Sequence, residues 1–411
     1  MPDPNQNPSV VRPLIRQLVT GILGAALGIS LALPSSVRAE LRIIPSLTLS
    51  ERYDSNVLFG STDDQDLVTF LSPSLSASYR GRPLEGSLFG TLSIASYAKH
   101  SNFNNASAFG GLNLNLTQLV GRLDKRARLT VSGSGYYTPE LPAFITATAG
   151  FNPFATGIQP QRVRAYSLTS SVAGGYSLTS RVDLTGTYSY SYLDFGDTVG
   201  ASLIAPLFKT ILQTVHVGPA IKLTHADSLT LQYQYTKADY GGAIPGYRTE
   251  GGTIGWTHGF SPQLSGSVSV GATKITPSDR IAPLVNLSLT WTERSTAMSL
   301  SFTRAVSPSF TISAGALESN ILALTVAQKL TDRLTGTVGV NYARSSSTAV
   351  TAGSAVSFNS YGTNLSLGYS ISRSLSAMFT YSHSHFTSES LGLKSSFDRD
   401  LVMLSMTASW M

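Results

Sequence analysis

The chain ends on RDLVMLSMTASWM, residues 399–411, and the pattern of this segment is the clearest indication of the fold. From residue 401 onward, apolar and small hydroxyl side chains alternate. The apolar residues are Val402, Leu404, Met406, Ala408 and Trp410, and the hydroxyl residues between them are Ser405, Thr407 and Ser409. Successive side chains of a strand point to opposite faces. The stretch therefore predicts a β-strand with one apolar face, which finishes on an aromatic residue, and one small polar face.

This ending resembles the C-terminal strand of bacterial outer-membrane β-barrels, which their assembly machinery recognises. In those proteins the aromatic residue is usually last, whereas here Met411 follows Trp410. The resemblance implies that Trp410 is part of an assembly signal. It also implies that the barrel-assembly machinery and outer-membrane lipid are partners of the chain.

The same alternation recurs in successive segments along the chain, each of about ten residues or more. In residues 182–193, for example, Leu184, Tyr188, Tyr190 and Tyr192 lie opposite Thr and Ser. We count about 18 such segments, within a range of 16 to 20. The sequence predicts an all-β fold: a transmembrane antiparallel up-and-down β-barrel.

The predicted connections differ in length in a regular way. Every second one is a tight turn, as at residues 179–181, 330–333 and 372–374, and the others are mostly longer, as at 139–161 and 387–398. Short turns on one rim and longer loops on the other are typical of outer-membrane barrels, with the short turns periplasmic. The turns also share a sequence, SLTSRV, KLTDRL or SISRSL, which we interpret as the chemistry of a two-strand unit.

Two soluble folds compete with the barrel. A β-solenoid would need a fixed repeat period, and the spacing between strands varies too much for one. Sandwich domains would need linkers and apolar inner faces on both sheets, whereas the polar face here is Ser, Thr, Asn and Gln along the whole chain. Because polar side chains are costly in hydrocarbon, we expect the Leu, Val and Tyr face to meet lipid and the polar face to line a water-accessible lumen.

Composition agrees with an exported barrel. Charged residues make up 13% of the 411 residues, about half the share of roughly a quarter in soluble domains. There is no cysteine, which excludes disulfides and thiolate metal sites. The net charge of +6 falls to about +4 without the N-terminal segment, which is too small to indicate nucleic acid as a partner.

The first 39 residues have the pattern of a signal peptide. Arg12 and Arg16 precede an apolar run over residues 18–33, and Val37-Arg38-Ala39 precedes the expected cleavage site. The alternative is an uncleaved anchor, but the apolar run is short for a spanning helix. We expect a cleaved signal peptide at 1–39, a single barrel domain at 40–411, and a location in the bacterial outer membrane.

One motif is similar to a known family. Tyr53, Asp54, Asn56 and Val57 lie at the end of the first predicted strand, and Ser-Pro-Ser-Leu follows at residues 72–75. These elements resemble the N-terminal segment of β-barrel porins associated with exopolysaccharide and exosortase (PEP-CTERM-type) gene clusters. The resemblance implies an outer-membrane barrel that serves polysaccharide export or assembly. For chemistry we favour the simpler interpretation that Asp54 and Asn56 form an Asx-type turn.

Two long loops are candidate gates. The longest, at 139–161, contains Phe144, Phe151 and Phe154, and it could fold into the lumen as a constriction or pack on the outer rim. The connection at 194–210 is apolar enough for a short helix at the barrel mouth.

Catalytic and metal sites are weakly indicated. Serine is so common that a Ser near one of the six histidines is expected by chance, and no nucleophile-elbow motif occurs. His383 and His385 share a strand face and could form a weak metal pair without clear further ligands. We predict no enzyme activity and no cofactor.

The sequence therefore predicts a porin-like passive conduit, with a link to exopolysaccharide export and with polysaccharide or export-system proteins as partners. The alternative is a non-conducting scaffold barrel that holds the partners of an envelope polysaccharide or protein-sorting assembly. A barrel enzyme is the third hypothesis.

Overall fold

The computed structural model describes residues 40–59, 64–81, 84–138, 163–198, 207–241, 245–308, 315–347, 356–390 and 393–410. The predicted signal peptide and Phe144, Phe151 and Phe154 lie outside these residues. Two short helices occur in the described ranges, a 3-10 turn at Ser101–Phe103 and an α-helix at Thr117–Val120. No helix in these ranges is long and apolar enough to cross a membrane.

The described residues form eighteen strands. In chain order they are β1 (Glu40–Asp54), β2 (Asp66–Arg80), β3 (Glu85–Tyr97), β4 (Asn105–Asn115), β5 (Ala127–Thr138), β6 (Val163–Ser177), β7 (Val182–Thr198), β8 (Thr210–Lys222), β9 (Asp227–Tyr240), β10 (Tyr247–Gly259), β11 (Leu264–Thr276), β12 (Arg280–Thr292), β13 (Thr296–Pro308), β14 (Ala316–Lys329), β15 (Leu334–Ser347), β16 (Val356–Ser370), β17 (Leu375–Ser390) and β18 (Leu393–Ser409).

Each strand pairs with its neighbours in sequence, and the sheet closes on itself. The closing pair joins β1 to β18 in antiparallel register, from Ser46 opposite Ser409 to Asp54 opposite Leu401. A closed ring leaves no sheet edge unpaired, which is what a sheet in hydrocarbon requires. The predicted all-β antiparallel barrel of 18 strands is confirmed.

The connections separate the two ends of the barrel. Those at 178–181, 223–226, 260–263 and 371–374 are among the tight turns at one end, which we call the inner end. The opposite end, the outer end, carries the longer connections, which in outer-membrane barrels face the cell exterior. One predicted loop, 387–398, is wrong. Strands β17 and β18 extend through it because their polar residues continue the ladder, with Glu389 opposite Lys394.

The repeated turn sequence has a common physical cause. The hydroxyl of Thr179, Thr331 or Ser372 accepts hydrogen bonds from the backbone N–H groups two and three residues later. Thr224 and Ser261 do the same at two further inner turns. A hydroxyl at the first turn position thus replaces a backbone partner and fixes each tight reversal.

The two faces of the strands divide as the sequence predicts. On β18, Leu404 and Met406 point outward and are 57% and 46% exposed, whereas Ser405 between them points inward and is buried. Exposed Leu, Val, Ile, Tyr and Trp side chains recur around the ring on the outward positions. The barrel therefore has an apolar exterior and a polar interior.

Candidate functional site: the lumen and its outer mouth

The middle of the lumen is lined by hydroxyl and amide side chains. Inward positions are Ser along residues 72–78 of β2, Thr and Ser along 185–191 of β7, and Thr and Gln along 230–236 of β9. Over this middle zone the described strands place no Asp, Glu, Lys or Arg side chain inward. The wall there offers hydrogen bonds without a fixed charge.

Charged side chains gather at the two ends of the lumen. At the inner end, Arg128 of β5 and Lys222 of β8 approach the carboxylate of Asp183 on β7, at 3.1 and 3.7 Å. Arg128 and Lys222 are more than half exposed, so water screens these pairs. The inner end is therefore a wet, mixed-charge rim.

An aromatic pair faces the middle of the lumen. Phe89 of β3 and Phe109 of β4 are 38% and 48% exposed, and their ring centroids lie 5.1 Å apart. Gly111 leaves the space for the Phe89 ring, because a Cβ there would lie 2.7 Å from it. Ser76 and Ser134 flank the pair at the level of Phe89. The pair is an apolar platform surrounded by hydroxyl groups.

The outer mouth is filled by apolar side chains. One buried cluster joins inward residues of β6 and β7 to residues of β14, β16, β17 and β18, which lie on the opposite side of the ring. Phe59, from the connection between β1 and β2, also belongs to it. The members are Phe59, Val163, Ala165, Leu193, Leu317, Val356, Phe358, Phe386 and Phe397. A second cluster gathers residues of β9 to β12 around Tyr240, whose hydroxyl donates to the Gly315 carbonyl at 2.8 Å. These contacts span the lumen, so the described side chains constrict it at its outer end.

The connection between β1 and β2 contributes to this constriction. Within it, Val57 and Phe59 are buried, and Val57 packs with Val68, Tyr97 and Phe103. Phe59 has a backbone φ of 55°, a conformation that costs a bulky residue about 1–3 kcal/mol. We name the described residues 55–59 and 64–65 the first connection. It folds toward the lumen instead of away from the barrel.

Phe59 is held in that conformation by residues of the closing strand. Its ring meets the Phe397 ring edge to face at 5.8 Å, and the Arg399 guanidinium lies 4.6 Å above its centroid. A cation over an aromatic face is attracted by the ring quadrupole. Packing therefore offsets the backbone strain of Phe59.

A buried ion pair ties the first strand to the last at the outer mouth. Asp54 and Arg399 are 0% and 3% exposed, and Arg399 donates through both Nε, at 2.9 Å, and Nη2 to the Asp54 carboxylate. Arg52 lies 3.6 Å from the same carboxylate and stacks over the Phe70 ring at 4.7 Å. Two guanidinium groups thus share one buried carboxylate.

The rest of the motif at residues 53–57 fastens the first connection to β18. The Asn56 N–H donates to Asp54 Oδ1 at 3.2 Å, which forms the Asx-type turn that the sequence suggests. Asn56 also donates through Nδ2 to the carbonyl of Asp398, and Ser55 exchanges two hydrogen bonds with the backbone of Asp400. Tyr53 points outward, and its hydroxyl donates to Gln65. The motif thus closes the ring and positions the mouth.

The two histidines considered as a metal pair lie on the outward face. His383 contacts Asp400 at 3.0 Å, His385 contacts Asp398 at 2.7 Å, and Tyr361 stacks on His385. Among the described residues no group of three or more His, Asp, Glu or Cys is arranged to hold a metal ion. Their contacts are hydrogen bonds between neighbouring strands.

Trp410 lies at the inner end of the closing strand. It is 55% exposed, and its backbone N–H donates to the Pro45 carbonyl of β1 at 3.1 Å. Leu207 and Phe208, from the apolar connection before β8, pack against the two mouth clusters.

The sequence pattern did not indicate the roles of Phe59 and Arg399. The one signal in the sequence was the placement of Phe358 and Phe386 at strand positions that are otherwise polar.

A closed antiparallel ring with an apolar exterior and a polar lumen defines the class of transmembrane β-barrels of bacterial outer membranes. Residues 232–410, from β9 through β18, match the family model described as Putative beta-barrel porin 2. Over these residues, which are somewhat under half of its length, the chain is similar to porin-like outer-membrane β-barrels.

Solved structures that are similar to the chain include OpdQ and OprD of Pseudomonas aeruginosa. OpdQ is 10% identical, with a TM-score of 0.45, covering 91% of this chain and 98% of its own. OprD is 13% identical, with a TM-score of 0.42, covering 90% and 95%. OccAB3 of Acinetobacter baumannii is 10% identical, with a TM-score of 0.43, covering 90% and 100%. The strand pairing and the closure of the ring define the fold. No curated protein matches the chain.

Proposed function

We propose that the barrel is a passive conduit for small uncharged polar solutes, with saccharides as the best-fitting class. The observation that carries this proposal is the lumen wall, where hydroxyl and amide groups surround the exposed Phe89–Phe109 pair and no fixed charge intervenes. Sugars present hydroxyl groups at their edges and C–H groups on their faces. The first would hydrogen-bond to the wall, and the second would lie on the aromatic platform.

A role in exopolysaccharide export is the finer form of the same proposal. The motif at residues 53–57 supports it through its resemblance to porins of exopolysaccharide gene clusters, and the lumen chemistry is compatible with an oligosaccharide chain. In this role the conduit would pass saccharide outward, and export-system proteins would meet the inner rim around Arg128, Asp183 and Lys222.

The test is a comparison of solute permeation in liposomes that contain the purified barrel. We expect neutral disaccharides to enter faster than singly charged sugars of similar size, because a charge loses hydration in the uncharged zone without gaining a partner. We expect Phe89→Ala/Phe109→Ala to weaken the block of ion current by added oligosaccharide. The matched control is Phe379→Ala, whose ring points outward beside Leu404 and should leave the block unchanged.

A second candidate is a non-conducting scaffold barrel, and the apolar clusters across the outer mouth favour it. The variant Phe59→Ala separates the two, since it removes a ring from the constriction. Under the conduit proposal the folded variant should conduct more than the parent. Folded protein that stays silent for both chains, and liposomes that exclude every solute, would reject the conduit and favour the scaffold.

A further inference from the structure

His100 stands between two carboxylates at the outer end of the barrel. Its Nδ1 lies 2.9 Å from Asp66 Oδ2, and its Nε2 lies 3.1 Å from Asp64 Oδ2. The ring stacks on Phe103, with centroids 5.3 Å apart and an angle of 13° between the planes. Lys99 precedes His100, and its backbone N–H donates to Asp66. Both ring nitrogens are therefore within hydrogen-bond distance of a carboxylate.

The two carboxylates differ in how firmly they are held. Asp66 is fully buried and also accepts backbone N–H groups from Leu67, Lys99 and His100. Asp64 is 35% exposed and belongs to the first connection. Asp66 is thus held by several backbone groups, whereas Asp64 is the more exposed of the two carboxylates.

Asp64 in turn holds the inward fold of the first connection. Its backbone carbonyl accepts the N–H of Val57 at 2.8 Å, and Val57 is buried among Val68, Tyr97 and Phe103. Two residues further on, Phe59 enters the apolar cluster of the mouth in its strained conformation. A contact that fixes Asp64 therefore also fixes the residues that constrict the lumen.

The protonation state of His100 decides whether both contacts form. A protonated imidazole donates from both nitrogens, whereas the neutral ring has one N–H and one lone pair. With the single N–H kept on Asp66, the lone pair of Nε2 faces the Asp64 carboxylate at 3.1 Å, and attraction is replaced by repulsion. Histidine is the side chain whose charge ordinarily changes between about pH 5 and 8.

We propose that His100 is a proton-controlled clasp on the first connection. At acidic pH it binds Asp64 and Asp66 together and holds Val57 and Phe59 in the mouth. As the pH rises, the clasp loses Asp64 and the constriction loosens. The inference concerns the movement of the first connection and stands whether or not the barrel conducts saccharides.

The experiment uses a single reporter cysteine, Val57→Cys, because the chain contains no other cysteine. The labelling rate with a water-soluble maleimide is measured on the folded barrel from pH 5 to pH 8. Each rate is divided by that of the unfolded chain at the same pH, which removes the titration of the thiol. We expect the normalised rate to rise about tenfold with pH, the factor of a charge-assisted hydrogen bond of ordinary strength.

In the His100→Gln and Asp64→Asn backgrounds the rate should be independent of pH. His258→Gln is the matched control, because His258 makes a similar 2.7 Å contact with Asp227 at the inner end, and it should keep the pH response. His383→Gln/His385→Gln tests the histidines on the outward face and should also keep it. A response that survives in His100→Gln, or that disappears in either control, overturns the proposal. Hydrogen exchange at the Val57 amide of the unsubstituted chain, corrected for intrinsic rate, must show the same rise with pH.

Discussion

The buried pair of Asp54 and Arg399 should be the most costly polar contact of the barrel to break. Substituting Asp54→Ala leaves two guanidinium groups, Arg399 and Arg52, in a site where Arg399 is 3% and Arg52 2% exposed. Removing one partner of a buried ion pair typically costs about 3–5 kcal/mol, because the remaining charge stays desolvated. The Asn56 N–H also loses its acceptor, which adds about 1 kcal/mol. We expect Asp54→Ala to lower the free energy of unfolding by about 4–6 kcal/mol.

The counterpart Arg399→Met should cost less, about 2–4 kcal/mol, because Arg52 remains 3.6 Å from the Asp54 carboxylate. The double variant should cost clearly less than the sum of the two, since the coupling between groups in contact is not additive. The assay is urea unfolding in detergent micelles, followed by the fluorescence of the three tryptophans. Asp332→Ala removes a carboxylate that contacts Lys329 at an exposed inner turn and should not measurably change stability.

Two results would contradict the predicted contribution of the Asp54–Arg399 pair to stability. A cost below about 1 kcal/mol for Asp54→Ala would mean that the site is not desolvated as the structure shows it. Strictly additive single substitutions would mean that Asp54 and Arg399 do not interact in the folded barrel.

Two further predictions concern the outward face and an inner turn. Leu404 points outward, and Leu404→Arg should destabilise the barrel in lipid vesicles by about 2–4 kcal/mol. Met378 points into the lumen, opposite Ser405, so Met378→Arg should cost far less. Equal costs for the two substitutions would contradict the assignment of the faces. At the turn before β5, hydrogen bonds from the Arg126 backbone N–H and the Tyr176 hydroxyl lower the pKa of Asp124. The ionised carboxylate therefore stabilises the turn at pH values above the ordinary pKa of an aspartate. This stability is lost as the pH falls through the lowered pKa. The protection of the Arg126 amide, taken from exchange corrected for the intrinsic rate, should therefore fall on acidification below about pH 4, and Asp124→Asn should remove that dependence.

The barrel itself could be predicted because its signal is local and repeated. Alternation in each segment depends on the strand geometry alone, and the hydroxyl of Thr179 or Thr331 fixes its own turn within three residues. The closing strand shows both effects most clearly, with Leu404 outward and Ser405 inward. Elements of this kind need no knowledge of distant contacts.

The constriction could not be predicted in the same way. Asp54 and Arg399 are separated by 345 positions and meet only because the ring closes. Phe397 falls in a segment that the sequence assigns to a loop, and its inward direction follows from the extension of β17 and β18 beyond the apolar belt. Contacts across a lumen depend on the strand count and stagger of the whole barrel, which no single segment contains.

The buried ion pair also gives the closing seam a specific register. Inward positions of β1 and β18 are mostly small hydroxyl residues that could pair equally well after a slip of two residues. A slip of two residues in the direction that moves Asp54 away from Arg399 would increase the distance between the two charged groups by roughly 6–7 Å. A slip in the other direction would break the bonds from Ser55 and Asn56 to the backbone of β18. Both errors leave buried polar groups without partners, so one register is favoured over the alternatives that the hydroxyl-lined strands would otherwise allow.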